Sequence, residues 1–375
     1  MSKKIAFLCN TTWYIYNFRS NLIQTLINQG YEIIAISPYD NYVESLSNLG
    51  CKHFHVKINS KSKSPLNDII LYFRLYRIIK KVKPNVLLNF TAKPNIYGTL
   101  VGSKLQIPSI NNIAGLGTGF VRNSITTKIL KCLYKFSQKR ATKVFFQNTE
   151  DQSNFIKDKI VKPDICSLLP GSGVDLNKFT KVSIPVIEGE KFIFLFVARM
   201  LYSKGVKLLY EAGEILYKSG YRKFEIQAVG FIGVNSSDAI PFTEIQDWNK
   251  SNFFKYVGET HDVFSYIKKA HCLVLPSFYR EGTPKSILEA LAVGRPIITT
   301  DMPGCRTTVV NGQNGILIPP QDLNKLVESM KTMVDSTFES LENMGNKSRE
   351  LAERKFDEKF VINEYQMIIN KVLND

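Results

Sequence analysis

Short apolar runs alternate with stretches of helical periodicity along this chain, in two successive series, and that alternation restricts the possible folds more than any other feature. In the first series, runs at Ile5–Cys9, Ile33–Ser37, His53–Val56, Val86–Phe90, Ser109–Ile113 and Lys143–Gln147 read as strands. Helical stretches at Ser20–Gln29, Leu66–Val82, Tyr97–Leu105 and Ser124–Ala141 lie between them. The second series restarts with strand Phe192–Val197 and continues through Phe224–Val229, Phe254–Val257, Leu273–Leu275 and Pro296–Thr299. Its helices are expected at Val206–Lys218, Val263–Lys269, Lys285–Ala292 and Gln321–Asp335. Strand, helix, strand in repetition builds a parallel sheet covered by helices, so the fold class is α/β with two such sheets. With 375 residues, each half is long enough to bury its own core. Residues 179–190 lack apolar periodicity. The expected division is therefore a first domain over 1–180, a linker over 181–190, a second domain over 191–355 and a terminal helix over 356–375.

Several broad classes are set aside by composition. No apolar run approaches the roughly 20 residues needed to span a bilayer. Lys3 and Lys4 precede an apolar run as in a leader, but Asn10, Thr11 and Thr12 end it early, so it reads as a first buried strand. The 6 cysteines are scattered with no C-x-x-C pair, which fits free thiols in a reducing compartment. The 4 histidines form no ligand set and there is no Asp-x-Asp pair, so no metal site is expected.

The net charge of +16 is concentrated in one half. Residues 1–185 hold 26 Lys+Arg against 9 Asp+Glu, whereas residues 186–375 hold 23 against 24. Between Glu44 and Glu150 there are 18 basic residues and one acid, Asp68. Nucleic acid, an anionic membrane or a phosphorylated substrate would each suit such a surface.

The chemistry concentrates in the other half. Glu281 and Glu289 flank Gly282-Thr283-Pro284-Lys285-Ser286, directly after the apolar run ending at Pro276-Ser277. The Gly-Thr-Pro break predicts a strand-to-helix corner, with Pro284 near the first turn and Ser286 able to cap. Upstream, strand Phe192–Val197 leads to Arg199, and Lys204-Gly205 follows. Two cations and a helix N-terminus at the carboxyl ends of two strands suit a diphosphate, and two carboxylates beside them suit hydroxyls of a sugar and a ribose.

This ordered set resembles the retaining, nucleotide-sugar-dependent glycosyltransferases of the E-x7-E family, GT4. It comprises Pro170-Gly-Ser-Gly-Val-Asp175, Arg199, Lys204-Gly205, Pro276-Ser277, the glutamate pair and Gly294-Arg-Pro-Ile-Ile-Thr-Thr300. The resemblance implies the GT-B fold, two Rossmann-like domains facing across a cleft, with the last helix crossing back to the first domain. It implies catalytic roles for Arg199, Lys204 and Glu281, and a donor site formed by these with Gly282, Thr283, Pro284, Lys285, Ser286 and Glu289. A UDP-sugar would be the donor, with no cofactor and no metal.

On the first domain, Tyr16-Asn-Phe-Arg19, Lys93-Pro-Asn-Ile-Tyr-Gly98 and Gly115-Leu-Gly117 are similar to bacterial polysaccharide enzymes that extend an undecaprenyl-diphosphate-linked sugar. That resemblance implies acceptor contacts from Arg19, Lys93, Gly115 and Gly117. The chain departs from many relatives in having no histidine in Ile113-Ala114-Gly115 and no glycine pair after the first strand.

The expected partners are thus a UDP-sugar, a polyprenyl-diphosphate-linked sugar and an anionic membrane surface, on the inner face of a bacterial plasma membrane. Lys128, Lys131, Lys135 and Lys139 form one stripe on helix 124–141, beside an apolar stripe of Ile125, Ile129, Cys132 and Phe136. Helix 66–83 carries Arg74, Arg77 and Lys81. Such segments suit an anionic bilayer, while sheet-covering helices with a wet basic face are the plainer account. Nucleic acid is not expected, because Tyr72, Phe73 and Tyr76 have helix-core spacing. A GT-B sugar-nucleotide epimerase and a non-catalytic scaffold for polysaccharide assembly remain open alternatives.

Overall fold

The computed structural model describes residues 2–60, 62, 64–115, 125–186, 191–233 and 236–374. The chain divides into two compact units, Met1–Ser172 with Lys359–Asp375, and Gly173–Glu358. The crossing thus falls before the aperiodic stretch at 179–190. Val174 N donates to Phe356 O at 2.8 Å and Glu358 N to Val174 O at 3.1 Å, so the strands of chain entering and leaving the second unit pair with each other. Phe179 and Ile184 are buried in that unit's core. Residues 187–190 of the expected linker lie outside the described residues.

The first unit runs β1 (Lys4–Leu8), α1 (Thr12–Asn28), β2 (Glu32–Ser37), α2 (Val43–Asn48), β3 (Lys52–His55), α3 (Pro65–Val82) and β4 (Val86–Phe90). It continues with α4 (Thr99–Lys104), β5 (Ser109–Ile113), α5 (Ile125–Gln138), β6 (Lys143–Phe146), α6 (Thr149–Lys157) and β7 (Cys166–Leu168). Its strands form one sheet in the order β3-β2-β1-β4-β5-β6-β7, and every pairing is parallel. The central strands are buried on both faces, as expected for a parallel sheet. One face packs against α3 to α6, the other against α1, α2 and a terminal helix described below.

Two expectations change here. The first helix begins at Thr12, not Ser20, so residues 12–17 are helical rather than a loop. Thr11 caps it, accepting from Tyr14 N at 3.1 Å, and Asp40 accepts from Thr12 N at 2.8 Å. A long-range carboxylate on free N-terminal amides thus outweighs the indifferent helix propensity of the aromatic run at 13–18. The helix expected from Tyr97 opens earlier, as a π turn at Pro94–Gly98. Asn95 Nδ2 anchors that turn on Asn112 O at 2.8 Å.

The second unit runs β8 (Phe192–Val197), α7 (Val206–Lys218), β9 (Phe224–Val229), α8 (Phe242–Trp248), β10 (Phe254–Gly258), α9 (Val263–Ile267) and β11 (Cys272–Leu275). It then adds α10 (Lys285–Val293), β12 (Ile297–Thr300), α11 (Pro303–Arg306), β13 (Gly315–Ile318), α12 (Leu323–Val334) and α13 (Phe338–Leu351). The sheet order is β10-β9-β8-β11-β12-β13, again parallel throughout. The strand order reverses between β8 and β11, which leaves a crevice at their carboxyl ends.

Helix α14 (Glu358–Asn374) returns the chain to the first unit, where Val361, Tyr365 and Ile369 are buried. Tyr365 Oη accepts from Asn112 Nδ2 at 3.0 Å, joining this helix to β5 across the sheet face.

Candidate active site

Both cation-bearing and carboxylate-bearing loops of the second unit lie at its switch point. Arg199 and Lys204 follow β8, and Ser277 to Ser286 follow β11. Lys204 ends a single 3-10 turn, Tyr202–Lys204, and Gly205 then takes φ 82° to start α7. A Cβ at Gly205 would lie 2.2 Å from Pro276 O, so only glycine lets this turn rest directly on the β11 loop.

The two loops are bound together at Ser203. Its carbonyl accepts from Phe278 N at 2.9 Å, Tyr279 N at 3.1 Å and Ser277 Oγ at 3.3 Å. Its own side chain donates to the Asp238 carboxylate, which also accepts from Ser203 N at 3.1 Å. Asp238, on the loop after β9, thereby fixes the turn that carries Lys204.

Lys204 is buried, and its Nζ forms an ion pair with the Glu281 carboxylate while lying 5.3 Å from the Tyr279 ring centroid. The other Glu281 oxygen accepts from Ser277 Oγ at 3.0 Å. The expected cation and the expected first glutamate are therefore in direct contact. Arg199 is exposed at the mouth of the same loop. Burial pushes the Tyr279 phenol pKa up, and the Arg199 guanidinium opposes that shift, so the cation's field reaches this ring.

Glu289 is 9% exposed, within the first turns of α10. Burial raises its pKa above the usual carboxylate value, and the Lys285 and Lys178 cations only partly offset this. The helix start differs from the expected one. Pro284 occupies the N-cap, no side chain caps, and Ser286 is the second helical residue, so it does not cap. Pro284 is extended and has no hydroxyl, so no N-cap side chain covers the start of α10. Gly282, Thr283 and Pro284 are buried, and Lys285 and Ser286 half-buried. A Cβ at Gly304, in α11, would lie 2.1 Å from Gly282 O, so the start of that helix backs the loop closely.

The candidates in the first unit are placed differently. Arg19 is 2% exposed, inside the core, with its guanidinium 4.9 Å from the Phe90 ring and 5.8 Å from that of Tyr365. Lys93 Nζ pairs with Asp68 at 2.6 Å and donates to Ser62 O at 3.0 Å, tying the start of α3 to the loop after β4. Gly115, with φ 136°, closes the run after β5; Gly117 lies outside the described residues. Among the described residues, no three His, Cys, Asp or Glu side chains converge as a metal site would require.

Sequence reasoning did not find Ser203 or Asp238. Asp238 lies far from Lys204 along the chain, in a Ser-Ser-Asp stretch that reads as an ordinary turn, and only the fold brings it beside the lysine loop.

Two parallel-sheet units of this topology, the second with a Lys204–Glu281 pair at its switch point, have the architecture of the GT-B type. The chain belongs to the GT4 glycosyltransferases: the family described as "Glycosyl transferases group 1" matches residues 177–351, and "Glycosyl transferase 4-like" matches residues 4–148. Among its relatives is the N,N'-diacetylbacillosaminyl-diphospho-undecaprenol alpha-1,3-N-acetylgalactosaminyltransferase of Campylobacter jejuni, 25% identical over 99% of this chain and 100% of that protein. Another is the UDP-Gal:alpha-D-GlcNAc-diphosphoundecaprenol alpha-1,3-galactosyltransferase of Escherichia coli, 25% identical over 83% of this chain and 82% of that one. The crystal structure of Anabaena HepE in complex with UDP-glucose shares the fold, with TM-score 0.78, 16% identity and coverage of 99% and 100% of the two chains. These names favour neither the epimerase nor the scaffold alternative.

Proposed function

We propose that this glycosyltransferase moves a hexose or N-acetylhexosamine from a UDP-sugar to a polyprenyl-diphosphate-linked sugar, with retained configuration, in the assembly of a bacterial surface glycan. The contact that carries this reading is the pair between buried Lys204 and half-buried Glu281 at the β8/β11 switch point. The names of the Campylobacter and Escherichia relatives support the lipid-diphosphate acceptor.

In this reading the donor diphosphate lies across Lys204, Arg199 and the backbone of Gly282 to Ser286 at the start of α10. The acceptor oxygen bonds to the anomeric carbon as the carbon–diphosphate bond breaks on the same face, and the acceptor proton passes to a diphosphate oxygen. Charge grows on that leaving group, and the two cations stabilise it without a metal ion. Glu281 holds donor-sugar hydroxyls while remaining paired to Lys204, and Glu289 accepts from the ribose. Arg19, Lys93, Gly115 and Gly117 lie on the acceptor side of this scheme. Lys93 acts there through the loop it anchors, and Arg19 through the aromatic core it packs against. The basic first unit keeps the enzyme at the anionic inner face of the plasma membrane, and nucleic acid is not a partner. No helix among the described residues is long and apolar enough to cross a membrane.

A panel of UDP-sugars, screened by thermal stabilisation and then by transfer to synthetic lipid-diphosphate sugars with chelator present, tests the scheme. Lys204→Ala should lower kcat by about 10²-fold or more while the fold persists. Undiminished transfer by that variant would remove the central role given to Lys204.

A further inference from the structure

Helix α5 carries apolar residues on both its inward and its outward side. Inward, Tyr134 is buried and Leu130 and Leu133 pack against the core, beside buried Thr127, Ser137 and Gln138. Gln138 donates to Asn95 O at 3.1 Å and accepts from Asn111 Nδ2 at 2.6 Å. Its outward side carries Ile129 and Phe136, each 55% exposed, with exposed Cys132 between them. The apolar stripe seen in the sequence is thus not the face that covers the sheet.

Helix α3 adds a second such surface on the same side of the sheet, since α3 and α5 both pack against the π turn at Pro94–Gly98. Its inward residues Leu71, Leu75, Ile79 and Val82 are buried normally. Its outward side is divided along its length. Leu66, Ile69, Ile70 and Phe73 are between 38% and 65% exposed over the first half. Arg74, Arg77, Lys80 and Lys81 are exposed over the second. Phe73 therefore does not serve the core, contrary to its spacing.

We infer that this twin-helix face enters an anionic lipid surface, with the apolar half of α3 and the Ile129–Phe136 stripe of α5 in the acyl boundary and the flanking cations among the headgroups. The inference deepens the proposed function, on whose membrane-linked acceptor it rests. Charge decides the occupant. The stretch between Glu44 and Glu150 holds 18 basic residues and one acid, Asp68, and Lys93 already neutralises that acid. Lys128, Lys135 and Lys139 border the α5 stripe, and the Arg140 guanidinium lies 3.9 Å from the Phe136 ring, as a snorkelling cation does. Apolar residues ringed by cations of one sign are the signature of an interfacial helix on anionic lipid.

The experiment is co-sedimentation of the full chain with phosphatidylcholine vesicles and with mixed phosphatidylcholine–phosphatidylglycerol vesicles, at low and high salt. Wild type should bind the anionic vesicles, and Ile69→Glu with Phe73→Glu should weaken that binding at least about tenfold. Phe73→Trp should bind like wild type and be quenched by brominated acyl chains. The inference is overturned if wild type ignores anionic vesicles, or if the double variant binds undiminished, which would mean headgroup attraction alone. It is also overturned if the face proves to be covered by a second copy, seen as a concentration-dependent dimer that the double variant abolishes. Thermal stabilisation by UDP reads the second unit in every arm. Its loss in wild type would strike the proposed function while leaving the vesicle result standing.

Discussion

At the scale of single residues, the second glutamate of the pair is held at a cost. Glu289 is buried and its folded-state pKa is raised above the ordinary 4.5, so the folded chain binds this proton more tightly than the unfolded one. Stability is therefore lost as pH rises above about 4.5 towards the folded value. Glu289→Gln removes the ionisation. Denaturant titrations should find it more stable than wild type at neutral pH, with the gain shrinking towards pH 4, while UDP stabilises it less. Equal stabilisation by UDP would show that the carboxylate does not hold the nucleotide. Sequence spacing marked this residue and its partner Glu281, because a strand, a Gly-Thr-Pro corner and a helix fix their separation. The Lys204–Glu281 contact was not legible, since the two come from loops after different strands.

At the scale of elements, the proposed donor site depends on how closely two loops approach. Gly205 combines a left-handed backbone with direct contact on Pro276 O, so Gly205→Ala meets strain and collision together. The conformation alone costs about 1–3 kcal/mol. A lowered Tm, accompanied by weaker UDP binding than the Tm loss alone explains, is the expected outcome. Retained Tm and binding would show that the turn can shift without consequence. Helix periodicity revealed most elements, yet the start of α1 was misplaced, and Phe73, whose spacing suggested core, is exposed on α3. Periodicity identifies two faces of a helix; which face is covered depends on what lies beside it. On α5, Gln138 reaches a buried amide network that no local pattern announces.

At the scale of the whole molecule, the last helix belongs to the unit the chain began with. Val361, Tyr365 and Ile369 complete the first unit's core, each large side chain stabilising by about 1.5–3 kcal/mol. Removing residues 359–375 should leave the first unit open to trypsin while residues 173–358 resist as a fragment. Uniform resistance, or uniform digestion, would contradict the division into units.

The sequence by itself determined the class: two parallel α/β sheets, because apolar runs and helical periods are local patterns, and the GT4 site motif, because each of its pieces is contiguous in the chain. Only the tertiary structure decided what those pieces touch. Long-range packing placed Asp238 against the lysine turn, drew Arg19 into an aromatic core, paired Lys93 with Asp68 and left an apolar face outside. These outcomes depend on distances between residues far apart in the chain, and neither periodicity nor spacing encodes such distances.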